Sequence, residues 1–164
     1  FEDMRLCHLE PDVITYSAAI NVCAHCVRWQ DALGMLVDMQ SRRKEPNTIT
    51  CNAAISACEK GVQWQEAIVL LADMRLRRLE ADVITYSAVI SACEKGAHWK
   101  EALGVFRDMR LCRLEPNLIT YSASVSACDK GAQWQEALVM LADMDLRRVH
   151  VDAVTRDAAI SACE

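Results

Sequence analysis

Three kinds of side chain return at fixed places in this sequence, 35 residues apart. One row is β-branched and aliphatic: Ile14, Ile49, Ile84, Ile119 and Val154. A second is small and hydrogen-bonding: Ser17, Asn52, Ser87 and Ser122. A third is cationic: Lys60, Lys95 and Lys130, with His25 in the first place. On a helix turning ~100° per residue, Ile14, Ser17, Asn21 and His25 fall within roughly 80° of one another. They lie opposite Tyr16, Ala19, Ile20 and Cys23. A solvated face has no reason to keep an aliphatic residue at one site five times, and repeated exposed apolar positions mark binding surfaces. Flat aliphatic edges can sandwich a planar ring, an amide or hydroxyl can hydrogen-bond a base edge, and an ammonium can meet a phosphate. Together these are the chemistry of a single nucleic-acid strand. Each row also has a plainer reading. The isoleucines could pack under the preceding unit, the serines could be tolerated first-turn polar residues, and the lysines could complement a helix dipole.

The elements that would hold these rows follow from the same period. Trp29, Trp64, Trp99 and Trp134 are spaced 35 apart, as are Met4, Met39, Met74, Met109 and Met144 and Thr15, Thr50, Thr85, Thr120 and Thr155. No insertion or deletion breaks the register. The full units are 13–47, 48–82, 83–117 and 118–152. Residues 1–12 read as the end of a preceding unit and 153–164 as the start of a further one. Neither end has the polar look of a capping unit, so the array is expected to continue both ways.

Each unit reads as helix, turn, helix. The first helix follows Asp12, Asn47, Asp82, Asn117 or Asp152, all good N-caps. It is expected to run about eleven residues and to stop near Gly61, Gly96 or Gly131, which suit a C-cap. The second opens near the tryptophan. It ends in a basic stretch such as Arg75 to Arg78, and Pro11, Pro46 and Pro116 then halt the chain. Trp64, Ala67, Ile68, Leu71 and Met74 form one apolar stripe, and Tyr16, Ala19, Ile20 and Cys23 another. One hairpin cannot bury both stripes, so successive hairpins must stack. The expected fold is all-α: a right-handed α-solenoid of two-helix, 35-residue repeats forming a single array.

Composition bounds the rest. Of 164 residues, 52% are hydrophobic, 25% charged and only 5% aromatic, which suits closely packed helices. The formal net charge of −5 excludes a globally basic nucleic-acid footprint and leaves only a locally basic groove. No stretch approaches the ~20 apolar residues of a membrane span. The nine cysteines do not read as a disulfide framework. Cys23, Cys58, Cys93, Cys128 and Cys163 are one position repeated, and Cys7 and Cys112 are another. With helices ~8–10 Å apart, equivalent cysteines exceed the ~7 Å limit for a disulfide. They are expected to be small buried thiols in a reducing compartment. The lone CxxC at Cys23 and Cys26 lacks the second pair a zinc site wants and sits at a helix end, so no metal or other cofactor is expected. His8, His25, His98 and His150 have no repeated acidic or nucleophilic partners, and no phosphate-binding glycine loop is present. No catalytic residue and no small-molecule substrate follow. Glu66, Glu101 and Glu136 open the second helices, where the dipole accounts for them. Arg42, Arg43, Arg77, Arg78, Arg147 and Arg148 make a basic ridge between units. It reads as a solvated edge or as a further contact for RNA or an acidic partner.

Val13-Ile14-Thr15-Tyr16-Ser17, Trp64-Gln65-Glu66-Ala67, Ala72-Asp73-Met74 and Glu115-Pro116-Asn117 together resemble the pentatricopeptide repeat family, of the plain 35-residue kind. The resemblance covers the whole chain and differs from the tetratricopeptide pattern of ~34 residues. It implies single-stranded RNA bound at one base per unit. By the family rule, the fifth and last residues of a unit choose the base. The resemblance thus implies that Ser17 with Asn47 reads adenine, Asn52 with Asp82 uracil, Ser87 with Asn117 adenine and Ser122 with Asp152 guanine. The second residues, Ile14, Ile49, Ile84, Ile119 and Val154, would sandwich the bases. Lys60, Lys95 and Lys130 match phosphate contacts. With RNA running 5′ to 3′ from the N- to the C-terminal unit, the implied core is 5′-A-U-A-G-3′. The family's usual home is the mitochondrion or plastid, which implies an organelle. The alternative is a protein-interaction scaffold, a structural subunit of a larger assembly without selective RNA binding, and the acidic balance favours it.

Overall fold

Every other helix of the chain starts from a carboxylate or carboxamide cap. In the computed structural model, which describes residues 11–162, the side chains of Asp12, Asn47, Asp82, Asn117 and Asp152 each accept the backbone N–H of a threonine three residues on, at 2.8–2.9 Å. This satisfies one of the helix's orphan donors. At Asp82 the box closes both ways, since the Asp82 N–H also reaches the Thr85 hydroxyl.

The helices in chain order are α1 (Val13–His25), α2 (Trp29–Ser41), α3 (Thr48–Lys60), α4 (Trp64–Leu76), α5 (Val83–Lys95), α6 (Trp99–Leu111), α7 (Leu118–Lys130), α8 (Trp134–Leu146) and α9 (Ala153–Ser161). The complete helices are thirteen residues long, two more than expected for the first of each pair. The extra length comes from the helix running on through the lysine to the glycine.

The sequence points to that glycine as a left-handed cap, and it is not one. Gly61 and Gly96 have φ of −83° and −79°, and the left-handed residue is the next one, Val62 or Ala97, at 57° and 60°. The Gln63 N–H reaches the Cys58 carbonyl and the Val62 N–H reaches Glu59, the two bonds of a Schellman motif. The second helices end in the same way, with Arg43, Arg78, Arg113 and Arg148 in the left-handed region. Part of the expected basic ridge is thereby explained as termination. Arg42 and Arg77 each pair with an aspartate one turn back on their own helix, Asp38 and Asp73. Arg147 holds Asp143 and reaches Glu115 of the preceding turn.

Packing follows two layers. The odd-numbered helices stack directly on one another, α1 on α3 and so on to α9, and each even-numbered helix wedges against the odd helix on either side. Among the described residues, the even-numbered helices make no comparable contact with each other. The odd-helix side is the more closely packed one, while ion pairs such as Arg75 with Asp108 and Arg110 with Asp143 join consecutive even-numbered helices. Small residues permit the close approach: Ala54, Ala57, Cys58, Ala92, Cys93, Ala127 and Cys128 are all fully buried. Met39, Met74, Met109 and Met144 fill the interior between layers. Tyr16 and Tyr121 tie the layers by donating to Asp38 and Asp143. Burial first, and then the Asp143 carboxylate, hold the Tyr121 phenol above its usual range.

The cysteines divide. Cys23, Cys51, Cys58, Cys93 and Cys128 are buried free thiols, and burial pushes Cys58 and Cys93 up to about 12. Cys26 and Cys112 are exposed, contrary to the expectation for Cys112. Cys112 caps α6 at the outer edge, where other units carry an arginine. Cys7, His8, Met4 and Cys163 lie outside the described residues. No helix is long and apolar enough to cross a membrane among the residues described.

Candidate nucleic-acid interface

The N-cap bond sets the phase of each odd helix, and the phase decides which side chains face outward. Because Thr50 must turn inward under Asn47, Ile49 beside it turns out. Ile14, Ile49, Ile84, Ile119 and Val154 are 62–77% exposed, although they are among the most apolar residues of the chain. Nothing among the described residues covers them. The reading in which this row packs as core is therefore excluded.

Between consecutive odd helices the outward residues converge on clefts. One, of about 600 Å³, is lined by Ile14, Ser17, Asn47, Ile49 and Asn52. Another, of about 370 Å³, is lined by Ile119, Ser122, Asp152 and Val154 with Ser91 and Glu94 beside them. Two aliphatic walls thus flank each set of polar groups, which is the shape that would take a flat ring edge-on.

The polar groups are not loose. Ser17 Oγ lies 2.9 Å from Thr50 Oγ1, and Thr50 Oγ1 lies 2.7 Å from Asn47 Oδ1. Thr85 Oγ1 is 2.8 Å from both Asn52 Oδ1 and Asp82 Oδ1. Thr120 Oγ1 is 2.7 Å from Ser87 Oγ and 2.9 Å from Asn117 Oδ1. In three successive units one buried threonine, borrowed from the following unit, joins the fifth residue to the last. The fourth unit differs. Thr155 Oγ1 is buried with no hydrogen-bond partner among the described residues, and Ser122 makes no such bridge. The threonines stand out as a periodic row in the sequence, but nothing in the spacing distinguishes them from simple helix formers.

Burial differs along the row. Asn52, Ser17 and Ser122 are half-buried, whereas Ser87 is 6% exposed; Ser17 and Ser87 both donate to a carbonyl one turn back, Val13 and Val83. The structure therefore offers Ser87 to a ligand less openly than the others.

The lysine row departs most from a simple phosphate track. Lys95 Nζ lies 2.9 Å from Glu59 Oε1, and Lys130 Nζ lies 2.6 Å from Glu94 Oε1. Each pair links one unit to the unit before it. Lys60 has no such carboxylate, because Ala24 stands where Glu59 and Glu94 stand in later units. At the first unit boundary the Asp12 carboxyl is held below its usual range, chiefly by the side-chain and backbone bonds from Thr15.

The sequence pattern underlying this geometry is shared. The PPR repeat family matches residues 11–60, 46–95 and 81–130, most of the chain. The chain belongs to the pentatricopeptide repeat family. No curated protein matches it. Among solved structures it is similar to the pentatricopeptide repeat protein PPR10 in complex with an 18-nt psaJ RNA element, with a TM-score of 0.79 and 26% identity, over 93% of this chain and 22% of that one. It is also similar to PPR10 from maize (TM-score 0.73, 24% identity, 98% and 23% of the two chains). The PPR domain of Arabidopsis thaliana protein-only RNase P 1, in complex with tRNA, superposes with a TM-score of 0.78 at 11% identity, covering 88% and 77%. The last two likenesses are of fold alone. This chain spans about a fifth of the length of PPR10.

Proposed function

We propose that this pentatricopeptide array binds single-stranded RNA, reading about one base per unit, with an implied core of 5′-A-U-A-G-3′. The observation that supports it is the open cleft between adjacent odd helices, where Ile14 and Ile49 flank Ser17, Asn47 and Asn52. In this reading Ile14, Ile49, Ile84, Ile119 and Val154 sandwich the bases. Ser17 with Asn47, Asn52 with Asp82, Ser87 with Asn117 and Ser122 with Asp152 select them. Lys60, Lys95 and Lys130 meet the backbone. The role is binding rather than catalysis, since the groups converging in the clefts are amides, hydroxyls, aliphatics and cap carboxylates. The setting expected from the family is a mitochondrial or plastid transcript.

Each stacked base contributes about 1–3 kcal/mol before ordering costs, so four units bind weakly and the test belongs at low salt. Fluorescence anisotropy with a labelled strand carrying AUAG is expected to show tighter binding than strands permuted at those four positions. Equal affinity for every strand would leave a non-selective binder.

A second reading has an observation of its own. Glu59 and Glu94 neutralise Lys95 and Lys130, and the chain carries a net charge of −5. These favour a scaffold that docks other proteins of a larger assembly. No measurable affinity for any single strand at low salt would decide for it.

A further inference from the structure

Thr85 has more neighbours than its hydroxyl can serve as a donor. Its oxygen stands 2.8 Å from Asn52 Oδ1, 2.8 Å from Asp82 Oδ1 and 3.2 Å from the Asp82 backbone N. It is 1% exposed, so water does not make up a shortfall. A hydroxyl has one proton and two lone pairs. The Asp82 N–H takes one lone pair. The proton goes to the better of the two oxygens facing it, and an ionised carboxylate accepts more strongly than an amide oxygen. Asn52 Oδ1 would then confront the remaining lone pair, acceptor against acceptor, at hydrogen-bond distance. Turning the Asn52 amide by 180° removes the conflict, because Nδ2 then donates into that lone pair. The nitrogen and oxygen of an amide have nearly the same shape, so the turn costs no packing and only the hydrogen-bond network decides it.

We propose that Thr85 is a positioning residue for base selection: it fixes the Asn52 amide with Nδ2 turned inward and Oδ1 presented to the cleft. In the neighbouring units the fifth residue is a serine whose single proton already goes to a carbonyl of its own helix, Ser17 to Val13 at 2.8 Å and Ser87 to Val83 at 2.7 Å, so the conflict at Asn52 is particular to its amide. At Asn52 an outward oxygen favours a base that carries an imino N–H on its pairing edge, which uracil has and cytosine lacks. The inference rests on the RNA-binding reading for its consequence, though not for its geometry.

Two measurements separate the geometry from its consequence. In the free, 15N-labelled chain, the Asn52 side-chain NH2 protons are expected to show cross-relaxation to the Thr85 methyl, with one of them shifted by its hydrogen bond. The hydrogen-bond shift should vanish in Thr85→Val, which keeps the shape and a methyl but removes the hydroxyl, and should return in Thr85→Ser, which has the hydroxyl without the methyl. Nδ2 protons without contact to Thr85 in the unaltered chain would overturn the proposal, whether or not RNA binds. In anisotropy, Thr85→Val is expected to reduce the preference for uracil over cytosine at the second base by about tenfold, the worth of roughly one hydrogen bond. Preferences at the other bases and overall binding should hold, and Thr85→Ser should restore the lost preference. Retained discrimination in Thr85→Val would also overturn the proposal. Absence of RNA binding by the unaltered chain would instead sink the functional reading and leave the amide orientation to the first measurement.

Discussion

Trp29 stands against Gly61 of the following unit so closely that a Cβ on the glycine would lie 2.4 Å from the indole Cδ1. The same relationship recurs with Trp99 and Gly131 at 2.3 Å, and more loosely with Trp64 and Gly96 at 3.0 Å. The glycine is thus a seat for the preceding unit's indole, where one hairpin docks on the next. Gly61→Ala and Gly131→Ala are expected to destabilise the array by about 1–3 kcal/mol through overpacking. Gly34 lies within α2, and a Cβ added there would meet nothing within 4 Å. Gly34→Ala is expected to stabilise by about 1 kcal/mol at most, from helix propensity alone. Urea denaturation of the three variants checks the opposite signs.

Val62 carries the left-handed turn that the glycine beside it does not, at φ 57°. A β-branched residue there costs about 1–2 kcal/mol, offset in part by the extra unfolded-state freedom of glycine. Val62→Gly is expected to raise stability by about 0.5–1 kcal/mol, read as a higher denaturation midpoint. A lower midpoint would mean that the half-exposed valine packs more usefully than its backbone suggests.

The ion pairs bear on salt dependence. Three free lysines on a single strand would give a slope of about −2 in log K against log salt. With Lys95 and Lys130 engaged by Glu59 and Glu94, the expected slope is nearer about −0.7, carried by Lys60. The double variant Glu59→Gln, Glu94→Gln is expected to steepen the slope toward about −2 and tighten binding. A steep slope in the unaltered chain would show that the pairs open for phosphate.

The thiols give a chemical map. Cys26 and Cys112 are expected to be alkylated rapidly at neutral pH, while Cys51, Cys58, Cys93 and Cys128 react only on unfolding. Mass spectrometry after timed alkylation reads this directly. Burial pushes Cys51 and Cys128 up to about 11 and Cys58 and Cys93 up to about 12, from an ordinary 9.0. A folded-state value raised above the unfolded one gives stability that is whole below pH 9 and is lost as pH climbs toward 11–12. Each such thiol withdraws up to about 1.4 kcal/mol per pH unit across that window. Melting temperature is expected to fall between pH 9 and 11, and less so in Cys58→Ala once its lower starting stability is subtracted.

Much of this architecture was legible in the residues. The 35-residue period set the two-helix unit, the cap residues set where each first helix begins, and the helical angle set Ile14 opposite Tyr16 and hence outward. Those are local quantities, fixed by neighbours three or four places away along one helix. What the tertiary structure decided lies between units. Thr50 bridges Ser17 and Asn47, Lys95 reaches back to Glu59, Gly61 makes room for Trp29, and Cys112 is left at an open edge. These partners are mostly 32 to 36 residues apart, and an angular pattern says only that each side chain leaves its helix on the same side. Whether two of them touch depends on how far one hairpin is shifted and turned on the next. That offset is set by side-chain volumes across the whole stacked interface, which no single helix carries.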